Sequence, residues 1–415
     1  MHTQIYIILY LCRQNNINMN LIQNQKLNNK KAIIRVDLNV PLNEKKEVTD
    51  YTRIEAIKET VNFVIDNGGS CILLSHLGRP KGKDENLSLK NILGPVSKTL
   101  DKPVVFFQDC IGEEAEQATK KLQPGEIILM ENLRFYKEET DGDNLFAEKL
   151  SRLGDLYIND AFGTCHREHA STAVIAKYFP NDKYVGKLLQ KELEAISQIA
   201  EHGEKPVLAI LGGAKVSSKL NILYNLIKKV DKIIIGGGMA YTFIAAQGGK
   251  IGESLIEEDL IENAKEILVI ANSLNKEIIL PDDIKASTDF DQNDLIKTFD
   301  SNKIEKGWMG LDIGTKTIEK FNQAILSSKT IFWNGPVGVF EKEAFLEGTR
   351  SICNSLKEAK TLGVNVIVGG GDSIAALKKL GKEDWVSYIS TGGGALLESL
   401  EGKTLPGVKA LLNEN

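Results

Sequence analysis

The segment Lys205-Pro-Val-Leu-Ala-Ile-Leu-Gly-Gly-Ala-Lys215 is a short, almost wholly apolar run that stops on two glycines and a lysine. A run this short suits a strand buried on both faces and falls well below the usual length of a helix. The pattern recurs along the chain. Ala32 to Val36, Ser70 to Leu74, Pro103 to Phe107, Glu126 to Met130 and Leu156 to Asn159 read as strands in the first part. Lys232 to Ile235, Glu277 to Leu280, Thr330 to Trp333, Asn365 to Val368 and Trp385 to Ile389 do so in the second. Longer amphipathic segments separate them, as helices do when they cover both faces of a parallel sheet. The predicted fold class is α/β, with two doubly wound parallel-sheet domains joined by a helix and a cleft between them.

The joining helix is Lys187-Leu-Leu-Gln-Lys-Glu-Leu-Glu-Ala-Ile-Ser-Gln-Ile-Ala200, whose apolar residues recur at helical spacing with charges between them. The polar stretch Glu201-His-Gly-Glu-Lys-Pro206 then turns into the next strand. These breaks give a first domain at 19-186, a helix at 187-200 and a second domain at 201-399, with segment 400-415 returning to the first. Residues 1-18 contain the apolar run Ile5 to Cys12, with no Lys or Arg before it and no small-x-small site after it. It is far short of the ~20 residues that span a bilayer, so 1-18 reads as an extension with no role in the fold.

Composition narrows the function. The 415 residues are 42% hydrophobic and 26% charged, and the formal net charge of -5 provides no overall attraction for nucleic acid or an anionic membrane. Cys12, Cys71, Cys110, Cys165 and Cys353 are scattered and form no C-x-x-C pair, as expected of reduced cytoplasmic thiols. Lysine carries most of the positive charge, while arginine stands only at 13, 35, 53, 79, 134, 152, 167 and 350. A guanidinium kept in a lysine-rich chain suggests bidentate recognition of carboxylate or phosphate. Arg13, Arg152 and Arg350 read as surface charge, and Arg35 as a support for the fold, paired with a neighbouring acid.

Four strand ends in the second half run into glycine, at Gly212-Gly213, Gly236-Gly237-Gly238, Gly369-Gly370-Gly371 and Gly392-Gly393-Gly394. Glycines there let backbone N–H groups and helix N-termini approach phosphates. With Lys215 and Lys219 after the first turn and Asp372 after the third, a nucleotide site is expected. No G-x-x-x-x-G-K-[ST] occurs, which excludes the usual P-loop. None of the triplets completes G-x-G-x-x-G/A, because the sixth positions are Tyr241, Ile374 and Leu397, and a dehydrogenase is therefore the weaker enzymatic alternative. In the first half, Arg35-Val-Asp37-Leu38-Asn39, Arg53, His76-Leu77-Gly78-Arg79, Arg134 and His166-Arg167-Glu168-His169 all fall after strands. They bring five arginines and three of the five histidines toward one end of one sheet, which suits a small, highly anionic ligand. His166 and His169 lack the further Cys or acid that would complete a metal site.

Four segments, Leu211-Gly-Gly-Ala-Lys-Val-Ser-Ser-Lys219, Gly310-Leu-Asp-Ile-Gly314, Trp333-Asn-Gly-Pro-Val-Gly-Val-Phe-Glu341 and Gly369-Gly-Gly-Asp-Ser373, resemble in order the nucleotide motifs of the phosphoglycerate kinase family. The first-half segments are similar to that family's as well, and the likeness runs from about residue 20 to the C-terminus. It implies a cytoplasmic, monomeric enzyme of glycolysis that moves a phosphoryl group reversibly between 1,3-bisphosphoglycerate and ADP, with Mg2+ and with hinge closure of two domains. Its products are 3-phosphoglycerate and ATP, and its partners are these small molecules, without nucleic acid or membrane. The resemblance assigns phosphoglycerate binding to Asp37, Leu38, Asn39, Arg53, His76, Leu77, Gly78, Arg79, Arg134 and Arg167. It assigns nucleotide contacts to Gly213, Lys219, Gly237, Gly310, Asn334 and Pro336, and to Glu341 through ribose hydroxyls. Gly370, Gly371, Asp372 and Ser373 would wrap the phosphates, with Asp372 also holding Mg2+. The departures from the family pattern are Thr315 for Pro, Cys165 and Glu168 for small residues, and Gln190 for an acid.

The acceptor in such a reaction is a carboxylate already ionised at neutral pH, so no catalytic base is required. Alignment and neutralisation of the transferring group remain, and they fall to Arg53 and Lys215 together with Mg2+. The non-enzymatic alternative is a two-lobed protein that closes on an anion.

Overall fold

Aliphatic runs buried on both faces form a six-stranded parallel sheet in the first part of the chain. The structure is a computed structural model that describes residues 18–291 and 295–413. The strands are β1 (Lys31–Val36), β2 (Ser70–Leu74), β3 (Val104–Phe107), β4 (Ile127–Met130), β5 (Leu156–Asp160) and β6 (Lys183–Val185). They lie in the order β3-β4-β2-β1-β5-β6, every neighbouring pair parallel. β6 was not expected from the sequence, because this three-residue edge strand beginning with Lys183 carries no apolar run. The chain leaves β1 on one side for β2 and reaches its other side only at β5, which creates a switch point at the carboxyl ends of β1 and β5.

The second part contributes β7 (Val207–Leu211), β8 (Lys232–Ile235), β9 (Glu277–Ile279), β10 (Asp283–Ser287), β11 (Ile296–Asp300), β12 (Met309–Ile313), β13 (Thr330–Asn334), β14 (Asn365–Val368) and β15 (Tyr388–Ile389). Six of these form a parallel sheet in the order β9-β8-β7-β13-β14-β15, and its switch point lies between β7 and β13. The fold class is therefore α/β with two parallel sheets. A separate antiparallel sheet, β11-β10-β12, adds to what the sequence suggested. Its signal is weak in sequence because β11 faces solvent, with only Phe299 buried, and charged residues interrupt all three strands.

The chain divides into two compact units, one holding the described residues up to Glu194 with the segment from Thr404 onward, the other Ala195–Lys403. The helix Lys187–Ser197 crosses that division and runs into a π-helical turn at Gln198–His202. Its first turn is capped by Asp160 at the end of β5, whose Oδ1 accepts from the N–H groups of Leu188 and Leu189 at 2.9 and 3.1 Å. The reading of 1-18 as an extension falls on residues that, except for Asn18, lie outside the described residues. Asn18 and Met19 pair antiparallel with Asn413 and Leu412. Among the described residues no helix is long and apolar enough to cross a membrane.

Candidate functional site

In the first unit the chemistry gathers at the carboxyl ends of β1, β2, β4 and β5. Asp37, the residue after β1, is buried and pairs with Arg53, whose Nη1 lies 3.0 Å from Oδ1 and 2.9 Å from Oδ2. The same nitrogen donates to the Asn39 carbonyl at 3.0 Å, which leaves the rest of the guanidinium fork for another anion. Arg53 comes from the short helix Thr52–Ala56, and its side chain is 34% exposed. Asn39 Oδ1 accepts from the Gly78 N–H at 2.8 Å and so ties the segment after β1 to the segment after β2.

Arg134 is buried, donates through Nη1 to the Gly78 carbonyl at 2.8 Å, and leaves Nε without a partner among the described residues. Burial, with Arg35 and Arg167 nearby, pulls its guanidinium down to about 10. Burial and the neighbouring arginines likewise hold His76 well below the usual imidazole range and draw His169 down to about 3. Arg167 donates from Nε to His166 Nε2 at 3.1 Å. Mutual repulsion among cations is thus built into this sheet end, and a polyanion is what would relieve it.

Arg35 is fully buried, but among the described residues no acid pairs with it directly, contrary to the expectation. Its Nε donates to Ser171 Oγ at 2.8 Å, and that hydroxyl donates to the buried Glu139 Oε1 at 2.6 Å. The charge is met through a relay. Leu38 and Leu77 lie in the hydrophobic core, and the backbone of Leu38 is spent within the protein, its N–H on Ser75 Oγ at 2.9 Å and its carbonyl on the Val40 N–H at 2.8 Å, whereas Arg79 is exposed.

In the second unit, β7 and β13 end in Gly212-Gly213 and Gly335-Pro336, which lock together backbone to backbone. The N–H groups of Gly212 and Gly213 donate to the carbonyls of Asn334 and Pro336 at 3.0 and 2.9 Å. Lys219 fills this crevice, donating from Nζ to the Gly212 and Asn334 carbonyls at 2.5 and 2.7 Å. Burial lowers its ammonium to about 8 even though Asp372 opposes the shift. Asn334 Nδ2 donates to the Gly369 carbonyl at 2.8 Å, and the Gly335 N–H donates to Ser373 Oγ. Gly370 has φ +92°, and a Cβ there would come within 2.6 Å of Asn334 Nδ2, so this turn admits only glycine. The helix Gly371–Leu380 starts immediately after it, with Asp372 in its first turn.

Beside the crevice opens a cavity of about 700 Å³. Gly213, Gly237, Gly310, Pro336, Glu341 and Asp372 line it, with Leu255, Met309, Leu311, Val337 and Val339 as an apolar wall. An apolar slot with carboxylates at its edge and a glycine turn at its end suits a flat ring with a polar tail. Lys215 is exposed on the loop after β7. Among the described residues no group of three or more His, Cys, Asp or Glu is placed to hold a metal. A single carboxylate at Asp372 beside a phosphate-sized turn nevertheless fits Mg2+, which takes one or two carboxylates and completes its shell with phosphate and water oxygens.

Residues 22–403 match the family model described as phosphoglycerate kinase. The chain is 47% identical over 385 residues to the cytosolic phosphoglycerate kinase of Triticum aestivum, covering 93% of this chain and 96% of that one. It is 48% identical over 387 residues to the chloroplastic phosphoglycerate kinase of Volvox carteri, covering 93% and 84%. The chain belongs to the phosphoglycerate kinase family. Among solved structures, phosphoglycerate kinase from Coxiella burnetii is similar with a TM-score of 0.87 and 37% identity, covering 95% of this chain and 99% of that one.

Two features of the site carry little signal in the sequence. Glu139 sits in Lys137-Glu-Glu-Thr-Asp141, where nothing distinguishes a buried acid from its solvated neighbours. The apolar wall is only partly legible, through Val337 and Val339 within the segment Trp333 to Glu341. Their alternation with Gly338 was the available signal.

Proposed function

We propose that this chain catalyses Mg2+-dependent phosphoryl transfer between 1,3-bisphosphoglycerate and ADP, with phosphoglycerate held by the first unit and nucleotide by the second. The observation that carries the first assignment is Arg134, a buried guanidinium with an unpartnered Nε among other cations. Such a group is costly unless a phosphate or carboxylate completes it. His76, Arg134, Arg167 and the backbone around Asn39 and Gly78 bind the non-reacting groups of the phosphoglycerate, with Arg79 at the edge.

The apolar slot and the glycine crevice support the nucleotide assignment. In it, Gly310, Leu311 and Val337 flank the ring, Glu341 accepts from ribose hydroxyls, and Gly370 to Ser373 with Lys219 surround the phosphates. Bound at Asp372, Mg2+ would neutralise phosphate oxygens. Arg53 and Lys215 orient and neutralise the group in transfer, and no proton moves because the acceptor is a carboxylate. Each ligand is assigned to a different unit, so the reaction requires the units to bring the two together.

The same reading makes the enzyme a monomer of a reducing compartment, the cytoplasm. In support, Cys71, Cys110, Cys165 and Cys353 are free and buried, while the family includes both cytosolic and chloroplastic members. Isothermal titration of 3-phosphoglycerate into Arg134→Ala is the test. Affinity should fall at least tenfold with ATP affinity unchanged, and undiminished phosphoglycerate binding would contradict the assignment.

A further inference from the structure

Arg35 is fully buried and His76 is 3% exposed, and Nη2 of the arginine stands 3.2 Å from Nδ1 of the histidine. A guanidinium offers only N–H donors and keeps its charge in proteins. Nδ1 is therefore the acceptor and carries no proton, which leaves the single proton of the neutral ring on Nε2.

Arg35 is not free to swing aside. Its Nε donates to Ser171 Oγ at 2.8 Å and its Nη1 to the Val36 carbonyl. Ser171 is itself fixed, donating to Glu139 through its hydroxyl at 2.6 Å and through its N–H at 2.9 Å. The other charged or titratable groups acting on His76 are Arg134 after β4, Arg53 from the helix Thr52–Ala56, and His169 after β5. Each of them disfavours a second proton on the ring.

We propose that Arg35 is a positioning residue that fixes His76 as the neutral tautomer protonated on Nε2, so that His76 serves the anion site as a hydrogen-bond donor and not as a cation. The donor role rests on the phosphoglycerate reading of the first unit, whereas the tautomer does not. The charge of the cluster then resides in its arginines and does not change across the range in which an ordinary histidine titrates.

Proton–nitrogen correlation spectra of the full chain with isotope-labelled histidine test the tautomer in the ligand-free protein, from about pH 5 to about pH 8. The His76 signal is assigned by its loss in His76→Gln. The expected spectrum has an unprotonated Nδ1 and a protonated Nε2 at every pH. An imidazolium within that range, or a proton on Nδ1, overturns the proposal.

The role is tested by the Kd for 3-phosphoglycerate in wild type, His76→Gln and His76→Phe over the same pH range. Gln supplies an amide donor near the Nε2 position and should stay within about threefold of wild type, while Phe should lose about tenfold or more, the value of a hydrogen bond to a charged group. Wild type and His76→Gln should share one pH profile. A pH-dependent loss of affinity in wild type that Gln abolishes would show His76 acting as a cation and overturn the donor role. Absence of 3-phosphoglycerate binding at any pH would overturn that role together with the functional reading, while the spectra still decide the tautomer.

Discussion

Replacing Gly310 by Ala probes the nucleotide wall with one methyl group. Gly310 lies in β12, donates its N–H to Ser254 Oγ at 2.9 Å and lines the cavity of the second unit. A Cβ built on it would stand 2.0 Å from Tyr241 Oη and 2.6 Å from Ile284 Cγ2. Tyr241 is 3% and Ile284 2% exposed, so neither side chain can retreat into solvent. The ring or the strand must shift instead. Overpacking of this kind costs about 1–3 kcal/mol. If about 1.4 kcal/mol of that is felt by the bound nucleotide, its affinity falls about tenfold. The remainder should appear as a drop of a few degrees in Tm. Steady-state kinetics at saturating 3-phosphoglycerate and varied MgATP should therefore show KM for ATP raised about tenfold, with KM for 3-phosphoglycerate unchanged. An unaltered KM for ATP in folded Gly310→Ala, or an equal rise in both constants, would mean that Gly310 does not border the nucleotide.

Arg53→Ala and Lys215→Ala should each lower kcat about a hundredfold or more, roughly 3 kcal/mol, if their charge meets the group in transfer as proposed. Arg53→Lys should recover only part of that loss, and a normal kcat with only KM raised would remove either residue from the catalytic role. Burial holds Lys219 at about 8. Its ammonium is present at pH 7 and lost as pH rises through that value, so ATP affinity should decline above about pH 8 in wild type and not in Lys219→Met; identical profiles would exclude Lys219. Chelation of Mg2+ should abolish turnover and leave Tm unchanged, since the exposed Asp372 is the only carboxylate assigned to it, and a large fall in Tm would reveal a structural metal instead.

Both parallel sheets were legible in the sequence because strands buried on both faces must be apolar at every position, as Ile33-Ile34 and Leu208-Ala209-Ile210 are. The antiparallel β10–β12 sheet was not, since β11 carries Lys297, Thr298 and Asp300 toward water and lacks that signature. In the site, glycine turns announced themselves because Gly370 and Gly213 occupy positive φ, at +92° and +104°. The partners of Arg35 were hidden because Ser171 lies 136 residues from Arg35 in sequence and Glu139 a further 32 residues from Ser171, back toward the N-terminus. No periodicity encodes a contact of that range.

The most direct measurement is turnover by the purified full chain of 3-phosphoglycerate and ATP with Mg2+, coupled to reduction of the acyl phosphate formed. Product should form only when all three components are present, with no turnover when Mg2+ is omitted. Folded protein that binds both ligands and forms no 1,3-bisphosphoglycerate would contradict the proposed phosphoryl transfer.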